Sequence, residues 1–151
     1  GVGYEVKYLR DELRRILNLD SEIKVALVGA GSLGVAFARY SQKRSAEDNS
    51  FNVKIAALFD TDPNKIGQEI DGIPVFAASE LKEKVKELQL HMAIISVPSE
   101  YAQEVADELV EAGVKAILNF APIKVSVPEG VHLASADLSL ELQRLAYYLR
   151  D

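Results

Sequence analysis

The segment from Val25 to Gly34 constrains the fold of this chain most strongly, because an apolar run leads directly into the spacing Gly-x-Gly-x-x-Gly. The run is typical of a strand buried on both faces, and the glycines are typical of a tight turn into a helix. In such a turn the glycines permit the bend, the approach of a pyrophosphate to the backbone, and close helix packing. Free N–H groups and the helix dipole then hold the phosphates. The segment predicts a dinucleotide site whose pyrophosphate contacts are Gly29, Ala30, Gly31, Ser32, Leu33 and Gly34.

A second apolar run, Val53 to Phe59, ends on Asp60, which lies 26 residues after the last glycine. This is close to the spacing of about 20 residues at which an acidic side chain accepts hydrogen bonds from the adenosine ribose. Two carboxylates, Asp60 and Asp62, would repel a 2′-phosphate, and Lys65 is the only nearby cation. We therefore expect NADH and NAD⁺ rather than NADP(H), with Asp60 and Lys65 at the adenosine end. The stretch 60–64 is also rich in turn-forming residues, and both interpretations can hold together.

Two further apolar runs, 90–96 and 115–120, are typical of buried strands, and each is followed by a proline that ends it. Helical patterns alternate with the strands, so the sequence predicts an α/β chain with a Rossmann-type, doubly wound parallel sheet. Ligands of such sheets bind at the carboxyl ends of the strands. We therefore expect the nicotinamide against Ser96, Val97, Pro98, Asn119, Phe120, Ala121 and Pro122. The two prolines also have an ordinary explanation as strand stops.

The remaining patterns predict the connections between the strands. Amphipathic helices are predicted over 4–18 and, after the glycine turn, over 31–43. Glycines and a proline among apolar residues favour a short hairpin or irregular crossover over 66–76. Ser79 is a candidate cap for a helix that ends at Leu88, and a further helix over 99–112 is expected to end at Gly113.

Composition limits the possible functions. The 151 residues include no cysteine, so disulfides and thiolate chemistry are excluded and a redox role must use a bound ligand. The net charge of −6 argues against these residues gripping nucleic acid, which requires clustered Lys and Arg. The sequence has neither an apolar run of the roughly 18 residues that a membrane span needs nor an N-terminal signal pattern. We therefore expect a cytoplasmic protein without a membrane partner.

Catalytic machinery is not evident in the sequence. His91 begins an apolar strand and His132 lies in a short one, and we interpret both as structural. No group of His and carboxylate residues has the spacing of a metal site. Because the nucleotide-binding pattern fills nearly the whole chain, we expect a protein that binds a dinucleotide without turning it over, and hence not an enzyme.

The C-terminal segment carries a narrow apolar stripe. After Asp137, leucines at 138, 142, 145 and 149 recur with a helical spacing like that of a coiled-coil seam. A helix of this kind packs on its own sheet or on a second subunit, and its apolar surface favours a homodimer.

Several of these motifs together resemble the Rex-type redox-sensing transcriptional repressors of bacteria, and the resemblance covers essentially the whole chain. The matching stretches are 3–6, 25–34, 59–67, 71–75, 116–122 and 137–143. The resemblance implies a homodimer with exchanged C-terminal helices that senses the NADH/NAD⁺ ratio and leaves its operators when NADH binds. It implies that Tyr40 lies close to the nicotinamide and that Asp137 changes partners between the ligand-free and NADH-bound states. Without it, Tyr40 is a partly buried helix residue and Asp137 a helix N-cap.

The resemblance also divides the chain into a linker helix at 1–20, a Rossmann NAD(H)-binding domain at 21–134 and a domain-swapped dimerisation helix at 135–151. Ser32 departs from the Asn or Arg that the family has at that position. The family's winged-helix DNA-reading domain would precede Gly1, so we expect these residues to bind NADH but not operator DNA. The alternative is the cofactor domain of an NAD-dependent dehydrogenase without its substrate domain. A stand-alone NAD-binding scaffold is a third interpretation.

Overall fold

The computed structural model describes residues 2–17, 22–29, 31, 35–36, 53–136 and 147. Its helices are α1 (Val2–Leu17), α2 (Leu81–Glu87) and α3 (Ser99–Glu111), with a 3-10 turn (Ala78–Glu80) leading into α2. Its strands are β1 (Ile23–Val28), β2 (Val53–Asp60), β3 (Glu69–Ile70), β4 (Ile73–Ala77), β5 (Met92–Ile95), β6 (Ala116–Asn119) and β7 (His132–Ser135). Among the described residues, no helix is long and apolar enough to cross a membrane.

The strands form one sheet in the order β3-β4-β2-β1-β5-β6-β7, and every pairing except β3 with β4 is parallel. Leaving out the edge strand β3, this is the strand order of a doubly wound fold. The chain first adds strands on one side of β1 and then returns to add β5, β6 and β7 on the other. The predicted parallel, doubly wound sheet is confirmed, and its switch point lies between β1 and β5.

The segment 66–76 forms the predicted hairpin and also contributes a strand that sequence reasoning missed. Asp71 and Gly72 both have positive φ, at 50° and 83°, which is typical of a two-residue type I′ turn. Beyond the turn, β4 pairs in parallel with β2, with Phe76 opposite Phe59. Among the described residues, the strand predicted over 90–96 is therefore the fourth parallel strand, and it is shorter than predicted, at 92–95.

Two apolar layers cover the sheet, one on each face. Val25 and Leu27 of β1 face the same core as Leu9 and Leu13 of α1, and all four side chains are fully buried. The alternate residues of β1 face the second core, which includes residues of α2 and α3. Burying a leucine side chain contributes roughly 1.5–3 kcal/mol, so the amphipathic stripe of α1 anchors that helix to the sheet. The helix predicted over 4–18 is confirmed.

The end of α3 agrees with the prediction, whereas the start of α2 differs from it. Gly113 follows α3 with a φ of 100°, and its N–H donates to the carbonyl of Val110 at 3.0 Å. The predicted glycine cap is confirmed as a Schellman motif. The prediction that Ser79 caps the next helix was wrong: Ser79 lies within the 3-10 turn, and Glu80 occupies the cap position without a side-chain hydrogen bond. The 3-10 turn takes up the residues between the end of β4 and the first residue of α2.

Two predicted helices lie largely outside the described residues. Of the helix predicted over 31–43, Val35 and Ala36 are helical, and the Val35 N–H donates to the Gly31 carbonyl at 2.9 Å. Of the segment after Asp137, Tyr147 is helical and exposed. The leucine stripe, Tyr40 and Asp137 lie outside the described residues, so their roles stay predictions.

Candidate functional site

The predicted site residues meet at the carboxyl edge of the sheet, because hydrogen bonds between neighbouring strands continue past the strand ends. The Gly29 N–H donates to the Phe59 carbonyl at 2.8 Å, which sets the glycine turn beside Asp60. The Ser96 N–H donates to the Val28 carbonyl at 2.8 Å. On the far side of β5, the Phe120 N–H donates to the Ile95 carbonyl at 2.9 Å. The ends of β2, β1, β5 and β6 therefore form one continuous row.

Gly29 is required by the close approach of two strand ends. Its φ is 102°, a left-handed conformation that side chains other than glycine rarely adopt. A Cβ at this position would collide with the backbone carbonyl of Ser96, whose carbon would lie 2.8 Å away. The prediction that Gly29 permits the tight turn is confirmed, and the structure adds that it permits contact between the ends of β1 and β5.

Gly31 has the opposite surroundings. A Cβ added there would meet no atom of the described residues within 4 Å, and the backbone does not have a left-handed conformation. No packing of the described residues therefore requires a glycine at this position. This openness fits the predicted approach of a pyrophosphate, which needs the space that a Cβ would fill. Ala30, Ser32, Leu33 and Gly34 lie outside the described residues.

Asp60 is held in a fixed orientation by the turn that follows it. Its Oδ1 accepts hydrogen bonds from the Thr61 N–H at 2.6 Å and the Asp62 N–H at 3.1 Å. Its Oδ2 lies 4.0 Å from Nζ of Lys65, and the Asp60 side chain is 17% exposed. Asp62 in turn accepts from the Asn64 N–H at 2.9 Å. The structure confirms the turn interpretation of 60–64, and the same turn fixes the carboxylate at the end of β2.

The residues after β5 join the strand to the next helix. Ser96 and Val97 are half-buried and Pro98 is exposed. Pro98 stands at the cap position of α3 with an extended ψ of 148°, and its carbonyl accepts from the Tyr101 N–H at 3.0 Å. Its ordinary role as a strand stop is therefore confirmed, while ligand contact at 96–98 stays a prediction.

Asn119, at the end of β6, directs its side chain into its own loop. The amide nitrogen Nδ2 donates to the carbonyls of Ala121 at 3.2 Å and Ile123 at 3.0 Å, and Oδ1 accepts from the Ala121 N–H at 3.0 Å. The side chain is buried, and its two donors and one acceptor are used within residues 119–123. Asn119 therefore shapes the loop, and we expect any contact of this residue with a ligand to be indirect.

A cavity of about 370 Å³ lies at the ends of β6 and β7. It is lined by Ala121, Pro122, Ile123, Lys124, Ser135 and Ala136. The Ala136 N–H donates to the Asn119 carbonyl at 3.0 Å, so the chain leaves β7 beside the loop that Asn119 shapes. The side chains of Phe120 and Ala121 are buried in the two cores, whereas Pro122 and Ile123 are exposed.

The described titratable groups with perturbed pKa values lie in surface ion pairs. Lys82 of α2 and Glu111 of α3 are 2.7 Å apart, and this hydrogen-bonded pair holds the pKa of Glu111 below its ordinary value and raises the pKa of Lys82. On α1, Glu12 raises the pKa of Arg15 in the same way. These pairs join helices or turns of a helix, and neither supplies an acid or base to the strand edge.

Both histidines lie at the opposite edge of the sheet. His91 directly precedes β5 and His132 is the first residue of β7, so each stands at the amino end of a parallel strand. The His91 carbonyl accepts from the Lys115 N–H at 2.9 Å. The described residues hold no group of three His, Cys, Asp or Glu side chains arranged for a metal ion.

Comparison with known proteins identifies the family to which this Rossmann-type chain belongs. The family described as CoA binding domain matches residues 20–123. A redox-sensing transcriptional repressor Rex from Natranaerobius thermophilus is 44% identical over 151 residues, which is the whole of this chain and 67% of the relative. The chain belongs to the Rex family. It spans about two thirds of the length of the relatives that it matches.

Solved structures agree with this assignment. RSP, a Rex-family repressor, is 34% identical, and its complex with NADH has a TM-score of 0.75, covering 95% of this chain and 67% of that one. Its complex with NAD⁺ and operator DNA also has a TM-score of 0.75, covering 95% and 64%. An NAD-binding oxidoreductase from Klebsiella pneumoniae is 19% identical with a TM-score of 0.61 over 84% of this chain and 39% of the other. That likeness shows the common fold alone.

Proposed function

We propose that this chain binds NADH and NAD⁺ and is the redox-sensing region of a transcriptional repressor. One observation carries the proposal: the glycine turn lies beside Asp60 at the carboxyl edge of a doubly wound sheet, in a chain 44% identical over its whole length to a Rex repressor. The solved complexes of RSP with NADH and with NAD⁺ support the ligand.

The edge of the sheet divides into an adenosine half and a nicotinamide half. In the adenosine half, Asp60 accepts hydrogen bonds from the ribose hydroxyls, Lys65 lies beside it, and Gly29–Gly34 hold the pyrophosphate. In the nicotinamide half, the ligand lies against 96–98 and the loop 119–122. Tyr40 and Asp137 complete the switch between the NADH-bound and ligand-free states.

Signalling follows from a difference in affinity rather than from chemistry. NADH shifts the repressor toward a state with low operator affinity only to the extent that it binds that state more tightly. RSP has been solved on operator DNA, and we propose that the full repressor containing this chain binds its operator as a homodimer through residues 135–151. Residues 1–20 form the linker and 21–134 the ligand-binding domain.

The dehydrogenase alternative requires an acid or base near the nicotinamide. Both histidines lie at the amino edge of the sheet, and the relatives that cover the whole chain are named as repressors rather than enzymes. These two observations favour a ligand sensor. The relatives are named as transcriptional repressors, and we infer that this chain has no catalytic turnover of its own.

A ligand titration tests the proposal. NADH, NAD⁺, NADPH and coenzyme A are titrated into the purified chain and followed by calorimetry. We expect NADH to bind more tightly than NAD⁺, and both NADPH and coenzyme A to bind weakly, because each carries a further phosphate on the ribose beside Asp60. Equal affinities for NADH and NAD⁺ would contradict redox sensing. If coenzyme A bound tightly and NADH did not, coenzyme A would replace NADH as the proposed ligand.

A further inference from the structure

The connection between β6 and β7 is the least regular part of the candidate site. It runs over residues 120–131 and contains neither helix nor strand, although it joins two parallel neighbours in the sheet. Twelve residues is at the upper end of ordinary loop lengths in a compact domain, and loops longer than this are usually functional or disordered. This one is fixed in place by side chains, and it forms much of the cavity at the ends of β6 and β7.

Gln103, on α3, fixes the middle of this loop. Its Oε1 accepts from the Ser126 N–H at 2.9 Å, and its Nε2 donates to the Ser126 carbonyl at 2.9 Å. The carboxamide thus pairs with both backbone groups of one loop residue, as a neighbouring strand would. A second hydrogen of Nε2 is donated to Oδ1 of Asp107 at 2.9 Å. Because the amide uses two donors and one acceptor, these contacts also determine which way it faces.

The loop is therefore held at both sides of the cavity. Asn119 shapes residues 120–123 from the strand end, and Gln103 holds Ser126 from the helix. Between them, Val125 is buried in the second core. The exposed residues Pro122, Ile123 and Lys124 line the cavity, and they lie in the part of the loop that these two side chains hold.

We infer that Gln103 is a positioning residue for the nicotinamide half of the site. The inference rests on the proposed function, since it assigns the loop 121–126 to ligand binding. Gln103 is half-buried on the surface of α3, so its amide supports the loop and not the core. Without the amide, the loop loses its attachment to α3, and a ligand that contacts the loop must first order it. Disorder of this kind raises the apparent Kd, because only the fraction of molecules whose loop is already ordered can bind the ligand.

The experiment compares NADH with ADP-ribose, which lacks the nicotinamide, on the 151-residue chain. Gln103→Ala removes the amide, and Gln103→Glu keeps nearly the same shape while losing both donors and adding a charge beside Asp107. Glu104→Ala is the matched control on the same helix turn. Two hydrogen bonds of ordinary net strength correspond to roughly 30-fold in an equilibrium constant, which sets an upper limit on the loss. We expect both Gln103 variants to bind NADH about tenfold more weakly and ADP-ribose within twofold of the unchanged chain.

The control variant is expected to bind both ligands as the unchanged chain does. Unchanged NADH affinity in both Gln103 variants would overturn the inference. An equal loss for NADH and ADP-ribose would also overturn it, because a general structural defect has no preference for the nicotinamide half. If the unchanged chain bound neither ligand, the proposed function itself would fail, which is a different result from NADH binding that ignores Gln103. Circular dichroism checks that each variant is folded, and Gln103→Glu replaces Gln103→Ala if the latter is not.

Discussion

The two halves of the candidate site are held in place by different kinds of contact. In the adenosine half, backbone contacts hold the residues in place. Gly29 lies against the Ser96 carbonyl, and main-chain N–H groups of the turn after β2 fix Asp60. In the nicotinamide half, side-chain amides hold an irregular loop, with Asn119 at its start and Gln103 at its middle. Loosening the first half requires movement of strands, whereas loosening the second requires the loss of a few hydrogen bonds.

This difference suits a sensor of the NADH/NAD⁺ ratio. Both forms carry the same adenosine and pyrophosphate, so the role proposed for the rigid half is affinity without discrimination. The oxidised and reduced forms differ in the charge and shape of the nicotinamide ring, and in the proposed arrangement this ring contacts the half built from the loop. A loop held by side chains can exist in two arrangements that differ little in free energy. A switch needs such a pair of states, because the free energy of ligand coupling is only a few kcal/mol.

The largest expected effect comes from the rigid half, at Gly29. Gly29→Ala places a Cβ against the Ser96 carbonyl at a φ of 102°. The left-handed conformation and the displacement of β5 together cost about 3 kcal/mol of unfolding free energy, measured by urea denaturation. Both ligands should then bind poorly, because the ends of β1 and β5 belong to both halves.

Gly31→Ala is the matched control for this change. Within the part of the chain that the structure describes, a Cβ there meets no atom within 4 Å, so the unfolding free energy should change by less than about 1 kcal/mol. NADH and ADP-ribose should nevertheless both lose affinity, because the Cβ fills the space predicted for the pyrophosphate. Equal destabilisation by the two alanines would remove the distinction between a glycine needed for folding and one needed for the ligand.

The next effect is in the second half, at Asn119. Asn119→Ala leaves the buried N–H and carbonyl of Ala121, and the partly buried carbonyl of Ile123, without their side-chain partner. Such losses cost about 2–3 kcal/mol of unfolding free energy. NADH affinity should fall more than ADP-ribose affinity. Asn119→Asp keeps one acceptor and should give an intermediate result, and equal losses for the two ligands would contradict the division into halves.

Asp60→Asn tests the adenosine half through a single charge. The amide keeps an oxygen for the turn but loses the ionised acceptor for the ribose. This loss should weaken the binding free energy by about 2 kcal/mol, or roughly 30-fold in affinity. NADH and ADP-ribose should weaken by the same factor, and the preference for NADH over NADPH should shrink. Asp62→Asn, in the same turn, is the control and should leave NADH affinity unchanged. A selective loss of NADH would show that Asp60 acts on the nicotinamide instead.

The backbone geometry of the adenosine half could be predicted from the sequence because it depends on local constraints, while its contacts with a ligand stay a prediction. Each of its features has a sequence signal within a few residues: a glycine with positive φ, an apolar strand and a turn rich in aspartate. The strand β4 was missed as a member of the parallel sheet because Gly72 and Pro74, which belong to its hairpin with β3, obscure a strand of five residues. The contact of Gln103 with Ser126 joins residues 23 apart through an amide on a helix surface, and no local pattern marks it.

The smallest effect tests whether stability and affinity can change separately. Gln89 follows α2 at a φ of 56°, and the Leu90 N–H donates to the Val85 carbonyl at 3.0 Å, so Gln89 stands where α3 has Gly113. Gln89→Gly relieves the left-handed conformation and should raise the unfolding free energy by about 1 kcal/mol. The position belongs to neither half of the site, so NADH and ADP-ribose affinities should stay the same. If affinity rose with stability, the losses expected for the Asn119 and Gly29 variants would reflect global stability, and the two halves would have to be treated as one unit.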